Sequence, residues 1–109
     1  MQVDGYGAYE DLAEAGDVLL IFCWAHVRRN FYDLQIATPA PITAEALLRI
    51  AALYSIEDDI RGKPPDIRRQ VRQQRSKPLV DSMHVWLQAM LENVSSKSTL
   101  AAAIRYALS

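Results

Sequence analysis

The amino-acid sequence predicts a mainly α-helical protein with a small α/β part at its start. Residues 18–23 are all apolar, which is typical of a strand covered on both faces. Residues 2–3 resemble the end of an earlier strand, because Asp4 and Gly5 follow them as a turn. From residue 43 onward apolar residues recur three and four apart, which predicts helices for the rest of the chain.

The two predicted strands define where a site would lie. Residues 6–15 have helical spacing and Gly16 is a natural end for that helix, so the order is strand, helix, strand. Such a crossover is right-handed and makes the two strands parallel, with their carboxyl ends at one edge. Asp4 ends the first strand, and Cys23 and His26 follow the second. We therefore expect these three side chains at the sheet edge where open α/β proteins place their chemistry.

A break near residue 38 divides the chain into two parts. Pro39 and Pro41 cannot continue the helix that runs from the second strand to Ala37. We interpret residues 1–37 as the α/β part and residues 38–109 as a helical subdomain. Four helices are expected there, and the residues that open or cap them are, in order, Thr43, Asp66, Ser76 and Ser98 or Thr99.

Charge is unevenly distributed along the sequence. Residues 1–60 hold ten acidic and three basic residues, a charge of -7, whereas residues 61–109 hold nine basic and three acidic residues, a charge of +6. The two parts add to the formal net charge of -1. This asymmetry hints at a polyanion near the second half, although solvated helix faces produce similar imbalances.

Three arginines in the basic half share a helical face. Arg68, Arg72 and Arg75 are four and three residues apart, and arginine forks suit phosphate oxygens, so this face is a candidate for contact with a nucleic-acid backbone. The alternative is a solvated helix face that pairs with acidic residues of the preceding helix. The residues alone favour that alternative slightly. The acidic residues concerned are Glu57, Asp58 and Asp59.

The one cysteine limits the chemistry that the chain can carry. Cys23 cannot form a disulfide within the chain, and no signal peptide or membrane-length apolar run is present, so we expect a cytoplasmic protein without a membrane partner. The spacing of Cys23 and His26 occurs in zinc sites, but such sites need four ligands and there is no second cysteine. A Cys-His nucleophile pair and a buried cysteine beside a capping histidine both remain open.

Several short motifs together resemble the transposase of the insertion sequence 66 family. The motifs are Gln2-Val3-Asp4-Gly5-Tyr6 with Tyr9, Cys23-Trp24-Ala25-His26 with Arg28, Arg29 and Phe31, Ala37-Thr38-Pro39, and Arg61-Gly62-Lys63-Pro64-Pro65. Each motif is weak alone, but their order and spacing are specific, and the resemblance covers the whole chain. It implies a bacterial DNA transposase with a ribonuclease-H-like core and an Asp-Asp-Glu triad.

The resemblance also implies roles for individual residues. Asp4 would be the second aspartate of the triad and a ligand for Mg²⁺ or Mn²⁺, and residues 18–23 would be a core strand. His26 would approach the scissile phosphate as a catalytic residue, and Arg28 and Arg29 would contact nucleic acid. Residues from about 43 onward would be a helical insertion into the core.

The resemblance leaves two acids of the triad outside this chain. We therefore expect a fragment that is inactive alone and binds no metal, from an enzyme that acts on transposon-end DNA at the nucleoid. The alternative is a non-catalytic helical module that binds a protein partner or a DNA backbone. We also expect a homo-oligomer, because the strand at residues 18–23 would present an open edge.

Overall fold

A computed structural model describes the backbone of residues 17–109 and the side chains of residues 24–109. Within this part the elements are α1 (Asp17–Ala37), α2 (Pro41–Ile60), α3 (Pro65–Val71), a π-helical turn (Arg72–Ser76), α4 (Lys77–Leu91) and α5 (Thr99–Leu108). The described residues contain no strand. Among these helices, none combines the length and the apolarity needed to cross a membrane.

The predicted strand at residues 18–23 is wrong, because these residues form the beginning of α1. A short apolar run fits a buried strand and a buried helix equally well, so its composition cannot decide between them. The residues that follow continue the same helix and bury one face of it, through Trp24, Val27 and Phe31 at spacings of three and four. The run was thus the first part of a long helix.

The predicted α/β part, with its partial ribonuclease-H-like core, is wrong for the same reason. Two parallel strands and a crossover helix need a strand at residues 18–23, and residues 17–109 are built from helices and the turns between them. The other predicted strand, the crossover helix and Asp4 lie outside the described residues. The expected homo-oligomer also loses its physical reason, because an open strand edge at residues 18–23 does not exist.

Helices α1, α2, α4 and α5 share one apolar core. In α1, α2 and α4 the buried core positions lie three or four residues apart, whereas α5 buries two adjacent residues and one more a turn later. Phe31 and Ile50 are fully buried, as is Ile104. The buried core residues are Trp24, Val27, Phe31, Ala46, Ile50, Leu53, Val80, Met83, Leu87, Ala103, Ile104 and Ala107.

The break between α1 and α2 is confirmed, although α2 begins earlier than expected. Pro41 occupies the first turn of α2, where a missing N–H costs no helical hydrogen bond. Gln35 Oε1 accepts from the Ala40 N–H at 3.2 Å and also contacts the hydroxyl of Thr43. Thr43 Oγ1 lies 2.8 Å from the Ala40 carbonyl oxygen. These contacts fix the turn that folds α2 back onto α1.

The predicted boundary at residue 38 coincides with this turn. The buried side chains of α1 nevertheless lie in the same core as those of α2, α4 and α5. The division into residues 1–37 and 38–109 therefore stays a prediction, and the described helices pack as one unit.

Residues 57–77 contain the acidic end of α2 and most of the basic residues that follow it. Helix α3 and the π turn pack on the end of α2 and lead into α4. Every residue from 61 to 67 is exposed, whereas Arg72 and Ser76 in the π turn are buried. We call residues 61–77 the basic segment, since seven of its residues are Lys or Arg and Asp66 is its one acid.

Candidate nucleic-acid interface

The outer face of α1 carries three of the predicted site residues. Trp24, Val27 and Phe31 turn one face of this helix into the core, which leaves the other face at the surface. His26, Arg28 and Arg29 are all exposed there, and with Ala25 they line a shallow surface depression. The structure thus brings together the predicted catalytic histidine and two predicted DNA-binding arginines, on a helix rather than at a sheet edge.

The two arginines of α1 have weak partners. Arg28 lies over the ring of Tyr32, with its guanidinium carbon 5.6 Å from the ring centroid, and it has no carboxylate partner among the described residues. Arg29 Nε lies 3.3 Å from a carboxylate oxygen of Asp33, but both side chains are more than half exposed. A surface pair of this kind is worth about 0–1 kcal/mol and is screened by salt. Either guanidinium can therefore reach a phosphate at little cost.

The field of Arg28 also reaches the neighbouring helix. Burial against the core raises the pKa of the Tyr54 phenol above its ordinary value, and the positive charge of Arg28 lowers that pKa in part. The charge of Arg28 on α1 thus acts on a half-buried group of α2. Arg28 is itself exposed, on a helix whose opposite face is packed in the core.

The three arginines predicted to form one face do not do so. Arg72 is buried and forms a two-pronged pair with Glu57, from Nε to Oε2 at 2.9 Å and from Nη2 to Oε1 at 2.6 Å. Arg75 is exposed and lies 3.2 Å from Asp59. Arg68 is half-buried and donates to the Lys63 carbonyl. The π turn at Arg72–Ser76 interrupts the regular α-helical register, and Arg75 lies within it.

The alternative interpretation of this region, pairing with the acids of α2, is what the structure contains. Glu57 binds Arg72, Asp58 lies 2.5 Å from Arg61, and Asp59 pairs with Arg75. The Glu57 pair differs from the other two, because its side chains are 11% and 2% exposed. A bidentate, desolvated pair of this kind holds one geometry. Arg72 is therefore a structural residue that anchors the π turn to α2.

One contact escaped the sequence analysis altogether. The helical spacing of Trp86 favours a core position over a role as a stacking platform for a base, and the residue is half-buried at the edge of the core. The guanidinium carbon of Arg49 lies 4.7 Å from its ring centroid, while Arg49 Nε lies 2.9 Å from Glu45. Arg49 thus covers a ring face that a base would need. The two residues are far apart in sequence, so no local pattern could have revealed the contact.

The predicted metal ligand lies outside the part of the chain that the structure describes. This is Asp4, and for Cys23 the structure describes only the helical backbone. Among the described residues no three His, Cys, Asp or Glu side chains come close enough to hold a metal ion. The described residues therefore do not make up a site for the predicted Mg²⁺ or Mn²⁺, and the role of Asp4 stays a prediction.

Comparison with known proteins gives a consistent assignment. The chain is 40% identical to the uncharacterized protein y4qI of Sinorhizobium fredii (strain NBRC 101917 / NGR234) over 99% of its own length and 21% of that protein's. The uncharacterized proteins y4jD and y4hP of the same organism are 38% and 35% identical, each over 99% of the chain and 22% of their own length. The chain thus spans about one fifth of these relatives. No solved structure matches it.

The family profile described as transposase IS66 family matches residues 1–109, the full length of this sequence. The match covers the motif residues of α1 together with the helices that follow them. On this ground the chain belongs to the transposase IS66 family.

Proposed function

We propose that this chain is a segment of a DNA transposase and that its described helices form a non-catalytic module that contacts the DNA backbone. Membership of the transposase family supports the link to DNA. The observation that carries the proposal is the outer face of α1, where Arg28, Arg29 and His26 are exposed together. Arginine side chains that are held on a packed helix, and whose partners are weak, suit phosphate contacts.

The position of these cations on a rigid element matters for such a role. Helix α1 is held in the core by Val27 and Phe31, both fully buried, so the backbone that carries Arg28 and Arg29 is fixed. Because the side chains of long cations remain mobile, they can follow a phosphate backbone without reading its sequence. We therefore expect weak, salt-sensitive binding that does not depend on sequence.

Metal-dependent strand cleavage and transfer are proposed for the whole transposase and not for this chain alone. Paired divalent ions about 4 Å apart need carboxylates that converge from separate elements. Asp4 is the one residue of this chain proposed as such a ligand, and His26 is proposed to act beside it. The remaining acids would come from other parts of the longer protein, so the described residues are not proposed to carry out any step of the reaction on their own.

The proposal is tested by titrating the full chain into a fluorescently labelled DNA duplex of arbitrary sequence and following anisotropy at several salt concentrations. We expect the double variant Arg28→Gln/Arg29→Gln to bind more weakly and to reduce the slope of log K against log salt by about 2, since each lost phosphate contact removes about 0.9. The matched control is Lys97→Gln/Arg105→Gln, which removes the same charge from two exposed positions elsewhere. Equal losses in both variants would show that only net charge matters.

The absence of catalysis is tested on the same protein with Mg²⁺ or Mn²⁺ and a supercoiled plasmid. We expect no nicking above the level of a preparation that carries Asp4→Ala. Metal-dependent nicking that Asp4→Ala abolishes would mean that this chain supplies more of the catalytic machinery than proposed.

A second candidate function is binding to a protein partner. An open groove runs between α1 and α5 and is lined mainly by apolar surface, including Leu34, Ala103 and Tyr106. Ile36 on the same helix is 68% exposed. Binding of partner segments of the whole transposase at this groove would be compatible with DNA contact on the outer face of α1.

A further inference from the structure

The basic segment, residues 61–77, carries polar side chains besides the predicted face of Arg68, Arg72 and Arg75. Four of its seven cations are paired with carboxylates: Arg61, Arg72, Arg75 and Lys77 lie within 3.2 Å of Asp58, Glu57, Asp59 and Asp81 respectively. Lys63 and Arg69 differ. Both are exposed, and neither has a carboxylate partner among the described residues.

Lys63 and Arg69 are held at the same end of the segment. Arg68 donates to the carbonyl oxygen of Lys63, which ties the turn after α2 to the first turns of α3. Arg69 follows Arg68 directly. The turn itself depends on Gly62, whose φ of 84° lies in the left-handed region that glycine tolerates. Lys63 is therefore presented by a defined turn, and Arg69 by the helix that follows it.

Three glutamines extend this surface along the segment. Gln70, Gln73 and Gln74 are all exposed, and their side chains form no hydrogen bond with another described residue. Arg72 and Ser76 face the opposite way, into the interior against α2. The outward side of α3 and the π turn is thus a run of uncommitted amide and guanidinium groups. We call Lys63, Arg69, Gln70, Gln73 and Gln74 the outer polar face.

The buried pair behind this face makes it a rigid platform. Arg72 and Glu57 join the π turn to α2 by two hydrogen bonds in a desolvated setting. A short helix of seven residues has little stability of its own, so this anchor determines where the outer polar face lies. π-helical turns occur frequently at functional sites. Here the turn buries Arg72 while the glutamines on either side of it remain in water.

The chemistry of the face matches a nucleic-acid backbone better than a protein. Apart from Asp66 the basic segment lacks acids, and the three carboxylates near the end of α2 are already engaged by Arg61, Arg72 and Arg75. Glutamine amides that have no partner within the protein can donate hydrogen bonds to phosphate oxygens, and because they are neutral no charge has to be desolvated. We infer that the outer polar face is a second contact surface for the phosphate backbone of double-stranded DNA. The inference rests on the proposed function, since it assumes that the chain binds DNA.

The test uses the full chain and the same labelled duplex. Lys63→Gln/Arg69→Gln is expected to weaken binding several-fold at low salt and to reduce the salt slope by about 2. Lys97→Gln/Arg105→Gln is the control, because it removes equal charge near the loop between α4 and α5. Helix α4 has 15 residues and separates that loop from the π turn by about 22 Å. Circular dichroism should show unchanged folding for both variants, since all four side chains are exposed.

A second measurement does not depend on charge removal. In ¹H–¹⁵N spectra the side-chain amide signals of Gln70, Gln73 and Gln74 should shift on addition of the duplex, whereas that of Gln88 on α4 should not. If the chain binds DNA but the glutamine signals stay unchanged and the two double variants lose affinity equally, the inference is overturned and the proposed function stands. If the chain does not bind the duplex at low salt, both fail.

Discussion

The apolar core and the basic segment are held together by different forces. Helices α1, α2, α4 and α5 meet through side chains such as Phe31, Ile50 and Ile104, which are fully buried and carry no polar atoms. The π turn is instead fixed to α2 by the buried Arg72–Glu57 pair. An apolar core tolerates modest changes of shape, whereas a buried ion pair needs both of its members. The basic segment is therefore specific in position but vulnerable to a single substitution.

The same difference between interior and surface determines which cations are available to bind a phosphate. A charge near the core must be neutralised, as Arg72 is, and it then becomes part of the structure. Charges on the outer faces, such as Arg28 and Arg69, meet no such requirement because water solvates them. The number of arginines in a stretch of sequence therefore overstates its capacity to bind phosphate.

The largest effect is expected in the apolar core. Phe31→Ala should lower the free energy of unfolding by about 3–5 kcal/mol, because it removes a fully buried ring and leaves a cavity. Urea denaturation followed by circular dichroism measures this. Ile36→Ala on the same helix is the control: its side chain is 68% exposed, so the change should stay within about 0.5 kcal/mol. Similar losses for the two variants would contradict the position of α1 in the core.

Breaking the buried ion pair should lower the free energy of unfolding by about 3 kcal/mol. Arg72→Met leaves Glu57 only 11% exposed and without its partner, and removing one member of a buried pair costs about 3–5 kcal/mol. The lower end applies because Glu57 keeps some contact with water. Arg75→Met is the matched control, since its pair with Asp59 is about half exposed and should contribute about 0–1 kcal/mol.

The double variant Glu57→Leu/Arg72→Met tests whether the loss in Arg72→Met comes from the unpaired charge of Glu57. Apolar replacement of both members of a buried pair is often neutral, so most of the stability lost in Arg72→Met should return. If the double variant is as unstable as Arg72→Met, the pair stabilises the fold through its specific hydrogen-bonded geometry and not only by neutralising two buried charges.

The smallest effect is confined to alkaline pH. Burial raises the pKa of Tyr54 in the folded protein, so above about pH 10 the unfolded chain loses this proton first and stability falls as pH rises. Arg28→Gln should raise the pKa of Tyr54 further, because a favourable charge is removed. NMR titration of ¹³C-labelled tyrosine measures this, and Tyr54→Phe should remove its contribution to the alkaline loss. An unchanged pKa of Tyr54 in Arg28→Gln would mean that Arg28 does not act on this phenol.

Much of the helical part could be predicted from the sequence. The break at Pro39 and Pro41 is present, and α5 begins where Ser98 caps it by accepting from the Ala101 N–H at 3.0 Å. Apolar residues three and four apart predicted one buried face for each helix, and Met83 and Leu87 are buried on such a face of α4. These features are local: a proline, a capping hydroxyl and a helical period act within one or two turns of the chain.

The sequence by itself thus determined the helices after residue 38, the family resemblance and the cations of α1. Tertiary structure decided that residues 18–23 are helical, because a short apolar run has no period that separates a buried helix from a buried strand. It also decided which arginines are buried. Arg72 meets Glu57 only because α3 and the π turn fold back onto α2, and Arg49 meets Trp86 only because α2 packs against α4. Contacts between residues distant in sequence depend on packing, which no local pattern contains.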